Sequence, residues 1–289
     1  MGSNSAKHRV SSVRDCDFLS VIPAICVRLM QVLARLEDPG NLLPGETVFR
    51  NVEEIRGAGD GSAMTTFGDH QLRLGSLQRR DAAFHFLIDH PAILPFVTEY
   101  MHAPRFVGDW YIRKEQGPRS SWWHRGHGPC DGLRPVADLG AEKIATRHIN
   151  VAWLLDDQAT GEGCLLCVPG SHTRGGDFLT KNQASYDYPG LAFPGSKEIE
   201  GLAGDAVVFT ESLIHCGDEK LRGSSRRNLY MLYEDCALKS GEEGSAEQQR
   251  AKAISGEGPL GELWSTLTSE EAQRLCWLRE EDLSSAARL

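Results

Sequence analysis

The run Ser120-Ser-Trp-Trp-His-Arg125 ends an aromatic stretch on His124, and Gly126 and His127 follow directly. His215 closes the stretch VVFTESLIH, 91 residues after His124. Arg226 and Arg227 come next, Arg226 standing 11 residues beyond His215. Imidazole is the commonest protein ligand for transition metals. The guanidinium fork pairs a carboxylate through two parallel hydrogen bonds. Two histidines and an arginine in this order describe a metal centre with room for an organic acid beside it.

Two histidines plus a carboxylate two positions after the first make the facial triad of non-haem iron(II) oxygenases. Three open positions on such a metal accept the 2-oxoglutarate chelate and dioxygen. Here the carboxylate's place is Gly126, so one anionic ligand is missing. Either the place stays open to an exogenous anion, or another residue fills it, with His127, Asp131 and Asp138 close by. On an extended strand His127 points away from the face of His124 and reads as a loop or substrate contact. Packed, non-ligating histidines are the structural alternative for both positions.

These residues need strands to carry them. The segments RFVGDWYIR (105–113), SSWWHR (120–125), TRHINVAWLL (146–155), GCLLCV (163–168), GDAVVFT (204–210) and RNLYMLYE (227–234) are rich in β-branched and aromatic residues and punctuated by Gly and Pro. Short strands without interleaved helices predict a sandwich or barrel, and in a jelly roll His124 and His215 can meet at the mouth. Pro169-Gly170-Ser171-His172 reads as a turn, with His172 as its hydrogen-bonder. Residues 173–203 read as a long loop, a candidate lid. Helices are expected over 17–37, 76–89 and 91–101, and again over 241–289, where Thr268 and Glu271 resemble a capping box. The expectation is one domain over 17–289: a mainly β core at about 105–236, helical additions at 17–101 and 241–289, and a loose tail at 1–16.

GEGCLLCVPGSH (161–172), AGDAVVFTESLIHCG (203–217) and the Arg226-Arg227 strand together resemble the phytanoyl-CoA dioxygenase family over roughly 75–236. The resemblance implies a double-stranded β-helix, a jelly roll of cupin type, with flanking helices from both termini. It implies iron(II) on His124 and His215, 2-oxoglutarate on Arg226, and dioxygen as co-substrate. Thr146 opens a strand that in this fold runs near the oxoglutarate. The departure is Gly126, since the usual motif is His-x-Asp. His-x-Gly resembles the iron/2-oxoglutarate halogenases, in which chloride takes the vacated place and is transferred to a substrate radical. Halogenation of a C–H bond is therefore the leading expectation. Hydroxylation with a borrowed third ligand and a non-catalytic binding jelly roll are the alternatives, and the retained His215 and Arg226 weigh against the second.

His148 and Asn150 share one face of their strand and are candidate pocket residues. Of the adjacent Trp122 and Trp123, one is expected in the core and one at the substrate, and Trp123 is assigned to the substrate together with Arg125 and His127. Glu211 is a candidate neighbour of the metal ligands. Basic residues from Arg113 to Arg147, including Arg119, Arg125 and Arg134, point to a small anionic substrate, such as a nucleoside monophosphate. The chain has 289 residues and a formal net charge of −9, which argues against a nucleic-acid polymer as partner. It shows no apolar run of membrane-spanning length and no secretory signal, so a cytoplasmic protein is expected. Its 8 cysteines read as free thiols, with the Cys164/Cys167 pair buried in a strand.

Overall fold

The structure is a computed structural model that describes residues 11–13, 22–37, 47–49, 64–68, 70–101, 104–119, 123–125, 146–173, 192–235, 266–270, 272 and 275. Helix α1 (Ile22–Leu36) opens the described helical part. Its buried residues Leu29, Val32 and Leu33 recur at helical spacing, so one stripe packs inward while Val27 faces solvent. The large sheet orders its strands β1 (Ser11–Val13), β9 (Ala206–Thr210), β6 (His148–Leu154), β11 (Arg226–Asp235), β5 (Pro104–Lys114), β4 (Gln71–Gly75), β3 (Met64–Gly68) and β2 (Thr47–Phe49). The small sheet orders β10 (His215–Gly217), β7 (Leu165–Cys167) and β8 (Lys197–Ile199). Residues 123–125 join the small sheet through a bridge between His124 and His215.

From β5 onward the chain alternates between the two sheets, except that β7 and β8 follow each other within the small one. This is the double-stranded β-helix that the sequence led one to expect. The alternation gives the large sheet two buried faces. Residues Ile149, Val151 and Trp153 of β6, with Leu229, Met231 and Tyr233 of β11, pack outward against α1 and the segment 77–101. Ala152, Leu154 and Tyr230 pack inward against Leu165, Cys167, Val207 and Phe209. A strand buried on both faces reads as a continuous apolar run, and all seven residues of β6 are buried.

Several expectations are corrected. Ser11–Val13 pairs with Ala206–Val208, so the N-terminal segment is not loose there. β2, β3 and β4 extend the large sheet through a region with few strand signals. The helix expected at 76–89 is α2 (Leu77–Arg80) followed by a 3₁₀ turn (Ala82–Leu87). Asp81 separates the two: its backbone is extended, and its carboxylate accepts from the Ala83 N–H as an N-cap. The next helix, α3, is shorter than expected, at Leu94–Tyr100. β8 occupies part of the expected loop at 173–203; residues 174–191 lie outside the described residues. Near the C-terminus Ser269, not Thr268, is the cap, since its hydroxyl accepts from Ala272 N at 3.2 Å. Cys164, Cys167 and Cys216 are buried free thiols, and burial pushes them up to about 12, 11 and 12. No described helix is long and apolar enough to cross a membrane.

Candidate active site

The segment 123–125 and β10 bring the two histidines side by side. His124 N donates to His215 O at 3.0 Å, and His215 N donates to His124 O at 2.9 Å. Directly paired antiparallel residues share a face, and the two imidazole centroids lie 4.3 Å apart. His215 is 5 % exposed, whereas His124 lies at the surface. His215 Nδ1 lies 2.7 Å from Leu213 O. A carbonyl only accepts, so Nδ1 carries the proton and the Nε2 lone pair is left for a metal. Burial pushes the His215 pKa down to about 4, against the Leu213 carbonyl, which raises it. The ring is therefore neutral and ready to ligate. Phe209 stands edge-on to it at 4.9 Å. Among the described residues no third His, Cys, Asp or Glu joins the pair, and Glu211 is not placed to do so. Gly126 and His127 lie outside the described residues.

β10 leads from His215 through the Asp218–Lys220 turn to β11, which returns with Arg226 at its start. Arg226 is 2 % exposed, and its Nε and Nη1 have no partner. A buried guanidinium without an anion is costly, so this geometry suits an acid that is to arrive. Lys114 stands opposite Arg226 on β5 and is fully buried. Its ammonium donates to Asp218 O. Burial first, and then the neighbouring Arg226, lower its pKa to about 8. An incoming carboxylate would relieve both cations. Beside them Gln158 Nε2 donates to Asn228 Oδ1 at 2.6 Å, and Asn228 Nδ2 donates to the Tyr230 hydroxyl at 3.3 Å. The residues thus fit both groups: a two-imidazole pair for a divalent metal, and an orphaned cation for the far carboxylate of a diacid.

The remaining expected residues divide. Asn150 is 1 % exposed, lies opposite Phe209 and leaves its Oδ1 without a partner. His148 Nε2 lies 3.6 Å from Glu234 Oε1, a carboxylate that also accepts from Arg105 Nη2 at 2.9 Å and faces Arg147 Nη2 at 3.7 Å. Arg125 Nη2 donates to Ser171 O at 3.3 Å. Ser171 ties the PGSH turn to the residue before β10, since its hydroxyl accepts from Ile214 N at 2.8 Å. Trp123 is a correction: it is 1 % exposed among Leu166, Val168, Phe193, Ile214 and Cys216 and is core, not a substrate contact. Thr146 is a second. Its hydroxyl is engaged by His148 O at 3.1 Å and Thr210 Oγ1 at 2.6 Å. It also lies beyond the end of β6 opposite to Arg226, roughly 20 Å or more of strand away, so the two do not hold one carboxylate.

A double-stranded β-helix with a histidine pair at one end of its small sheet and a buried arginine on the last strand defines an iron(II)/2-oxoglutarate-dependent oxygenase. The phytanoyl-CoA dioxygenase (PhyH) family profile matches residues 21–228, and the chain belongs to that family. Among solved structures it is similar to HygX from Streptomyces hygroscopicus with nickel and 2-oxoglutarate bound, at 15 % identity and a TM-score of 0.54, covering 78 % of this chain and 88 % of that one. The same enzyme with iron bound gives a TM-score of 0.51 at 15 % identity, with coverage of 78 % and 88 %. AviO1 from Streptomyces viridochromogenes Tue57 gives 0.51 at 22 % identity, over 80 % of this chain and 90 % of that one. These likenesses show the fold. Compared with curated proteins, the chain matches none.

Proposed function

We propose that this chain is an iron(II)/2-oxoglutarate-dependent halogenase acting on an unactivated C–H bond of a small anionic metabolite, with a nucleotide as one candidate. The reading is carried by the His124–His215 pair with glycine at position 126: whatever path the backbone takes there, that position offers no carboxylate. His124 and His215 hold the metal. Arg226, with Lys114 beside it, holds the far carboxylate of 2-oxoglutarate, and chloride occupies the place that an acid would otherwise take. HygX was solved with nickel and 2-oxoglutarate, which supports the cofactor set.

When bound, the metal and 2-oxoglutarate supply an oxidant strong enough to take a hydrogen atom from carbon. The balanced reaction converts R–H, chloride, a proton, dioxygen and 2-oxoglutarate into R–Cl, succinate, carbon dioxide and water. The protein's own part is placement. The Leu213 carbonyl fixes the tautomer of His215, Phe209 and Tyr230 keep the inner wall apolar, and Asn150 offers a buried acceptor. A wall of this kind excludes the water that would compete with chloride.

An anaerobic titration with iron(II), 2-oxoglutarate and then chloride, followed by visible absorbance, tests this. A charge-transfer band that shifts with chloride in the wild type and ignores it in Gly126→Asp is the expected result. A wild-type band indifferent to chloride means that water or a borrowed carboxylate fills the position, and hydroxylation replaces halogenation. If no band forms, the metal assignment is wrong.

A further inference from the structure

β4 presents two faces. Leu72 and Leu74 enter the outer core, so Arg73 between them faces the inside of the barrel. Its guanidinium lies 5.0 Å over the ring of Trp110 on β5. Trp110 in turn stacks on Tyr230 of β11, with centroids 5.5 Å apart and an interplanar angle of 10°. Arg73, Trp110 and Tyr230 thus form a row across three neighbouring strands. Tyr230 belongs to the inner cluster with Phe209, the residue that touches His215.

Cation–π stacking explains where the guanidinium lies but not what its N–H groups do. Arg73 makes no hydrogen bond and no ion pair among the described residues, and its Nε is buried without a partner. Burial works against its charge, and Tyr230 and Glu211 offset that only through space. Other arginines of the sheets are paired: Arg105 with Glu234, Arg113 with Glu37, Arg227 with Asp156. Arg226 shares the signature of Arg73, a barrel-facing guanidinium with orphaned nitrogens, and Arg226 is assigned to the 2-oxoglutarate carboxylate. Arg73 pairs with Ile112 and Arg226 with Lys114, so their backbones stand on either side of β5, roughly 10 Å apart across two strand spacings; with Arg226 given to 2-oxoglutarate, Arg73 is the cation left for a second acid.

We propose that Arg73, laid on the Trp110–Tyr230 stack, is the specificity-determining residue of the substrate pocket and binds the phosphate or carboxylate group of an anionic substrate. Its attribution to substrate rests on reading the His124–His215 centre as the oxygenase site; the anion site itself stands apart from that reading. A charge-assisted pair of hydrogen bonds contributes about a 10- to 100-fold gain in binding.

The test uses the full chain loaded anaerobically with iron(II) and 2-oxoglutarate, so that Arg226 is occupied, in chloride-free buffer. Inorganic phosphate and acetate are each titrated by calorimetry into the wild type, Arg73→Gln and Arg73→Lys. One anion is expected to bind the wild type at an Arg73-dependent site, distinct from any binding at the metal that all three proteins share, about 10-fold or more weakly to Arg73→Gln, and with intermediate affinity to Arg73→Lys, which keeps the charge and loses the fork. The tighter of the two anions names the head group. Absence of binding to the wild type, or equal binding to Arg73→Gln, overturns the proposal. The charge-transfer band is read in the same samples. If it fails to form while the Arg73 dependence persists, the iron reading has failed and the anion site has not.

Discussion

Arg226 is the residue whose surroundings say most about what is missing from them. Two of its nitrogens are buried and unpaired, and Lys114, opposite it on β5, is fully buried. Charge-assisted hydrogen bonds contribute about 1.5–3 kcal/mol each. Arg226→Gln should therefore weaken 2-oxoglutarate binding about 10- to 100-fold while leaving iron(II) affinity near wild type, since the histidine pair is untouched. Equilibrium binding of each, measured separately, checks this; equal loss of both would mean that the variant disturbs the barrel rather than the acid site. His124, His215 and Arg226 could be singled out in the sequence by their order together with the resemblance of the blocks around them, and the fold sets the two histidines side by side. Lys114 and Arg73 were not. A basic residue in an alternating strand looks like any solvent-facing one, and only the closing of the small sheet over that face buries it. Trp123 misled for the converse reason: a strand places neighbours on opposite faces, but the sequence does not say which face is the pocket.

At the level of elements, the inner strands were readable because β6 and β11 carry apolar residues to both faces, Val151 and Met231 outward, Ala152 and Tyr230 inward, as a sheet packed on two sides requires. β1 to β4 were missed because each is only three to five residues long, and in β4 the alternation of Leu72, Arg73 and Leu74 is too short to stand out. The helix at 76–89 was overextended because its apolar spacing continues past Asp81, where an N-cap restarts the chain. The turn at Pro169-Gly170 was correctly placed by its residue types. Gly170 has φ +76°, and a Cβ there would meet nothing within 4 Å. Gly163 has φ +82°, and a Cβ would stand 3.1 Å from Lys220 Cβ. Gly170→Ala should then lose about 1 kcal/mol from backbone strain alone. Gly163→Ala should lose roughly 2 kcal/mol or more, because Lys220 Cβ must also move. Urea unfolding midpoints measure both, and equal losses would show that the crowding at Gly163 relaxes without effect.

For the whole molecule, stability against pH should carry the mark of one buried acid. Asp109 sits where β5 meets α2, and its Oδ2 accepts from Leu77 N at 2.7 Å. Burial pushes its pKa up to about 8, against the Leu77 N–H and Arg80, which lower it. The Gln78 side-chain amide N–H donates to the same carboxyl. In the unfolded chain this carboxyl releases its proton near pH 4, whereas in the folded chain it holds the proton until about pH 8. Between those limits the folded state binds one more proton than the unfolded, so stability falls as pH rises, by at most about 1.4 kcal/mol per pH unit. The contribution is fully present below pH 4 and lost as pH passes 8. Asp109→Asn keeps an acceptor for Leu77 and cannot ionise. Denaturant unfolding of both proteins from pH 5 to 8 should show the wild type losing ground to the variant steadily as pH increases, while every group common to both cancels. A difference that stays flat would mean that Leu77 and Arg80 hold Asp109 ionised in the folded protein, and that the junction of sheet and helix is fastened by a charge rather than by a neutral acid.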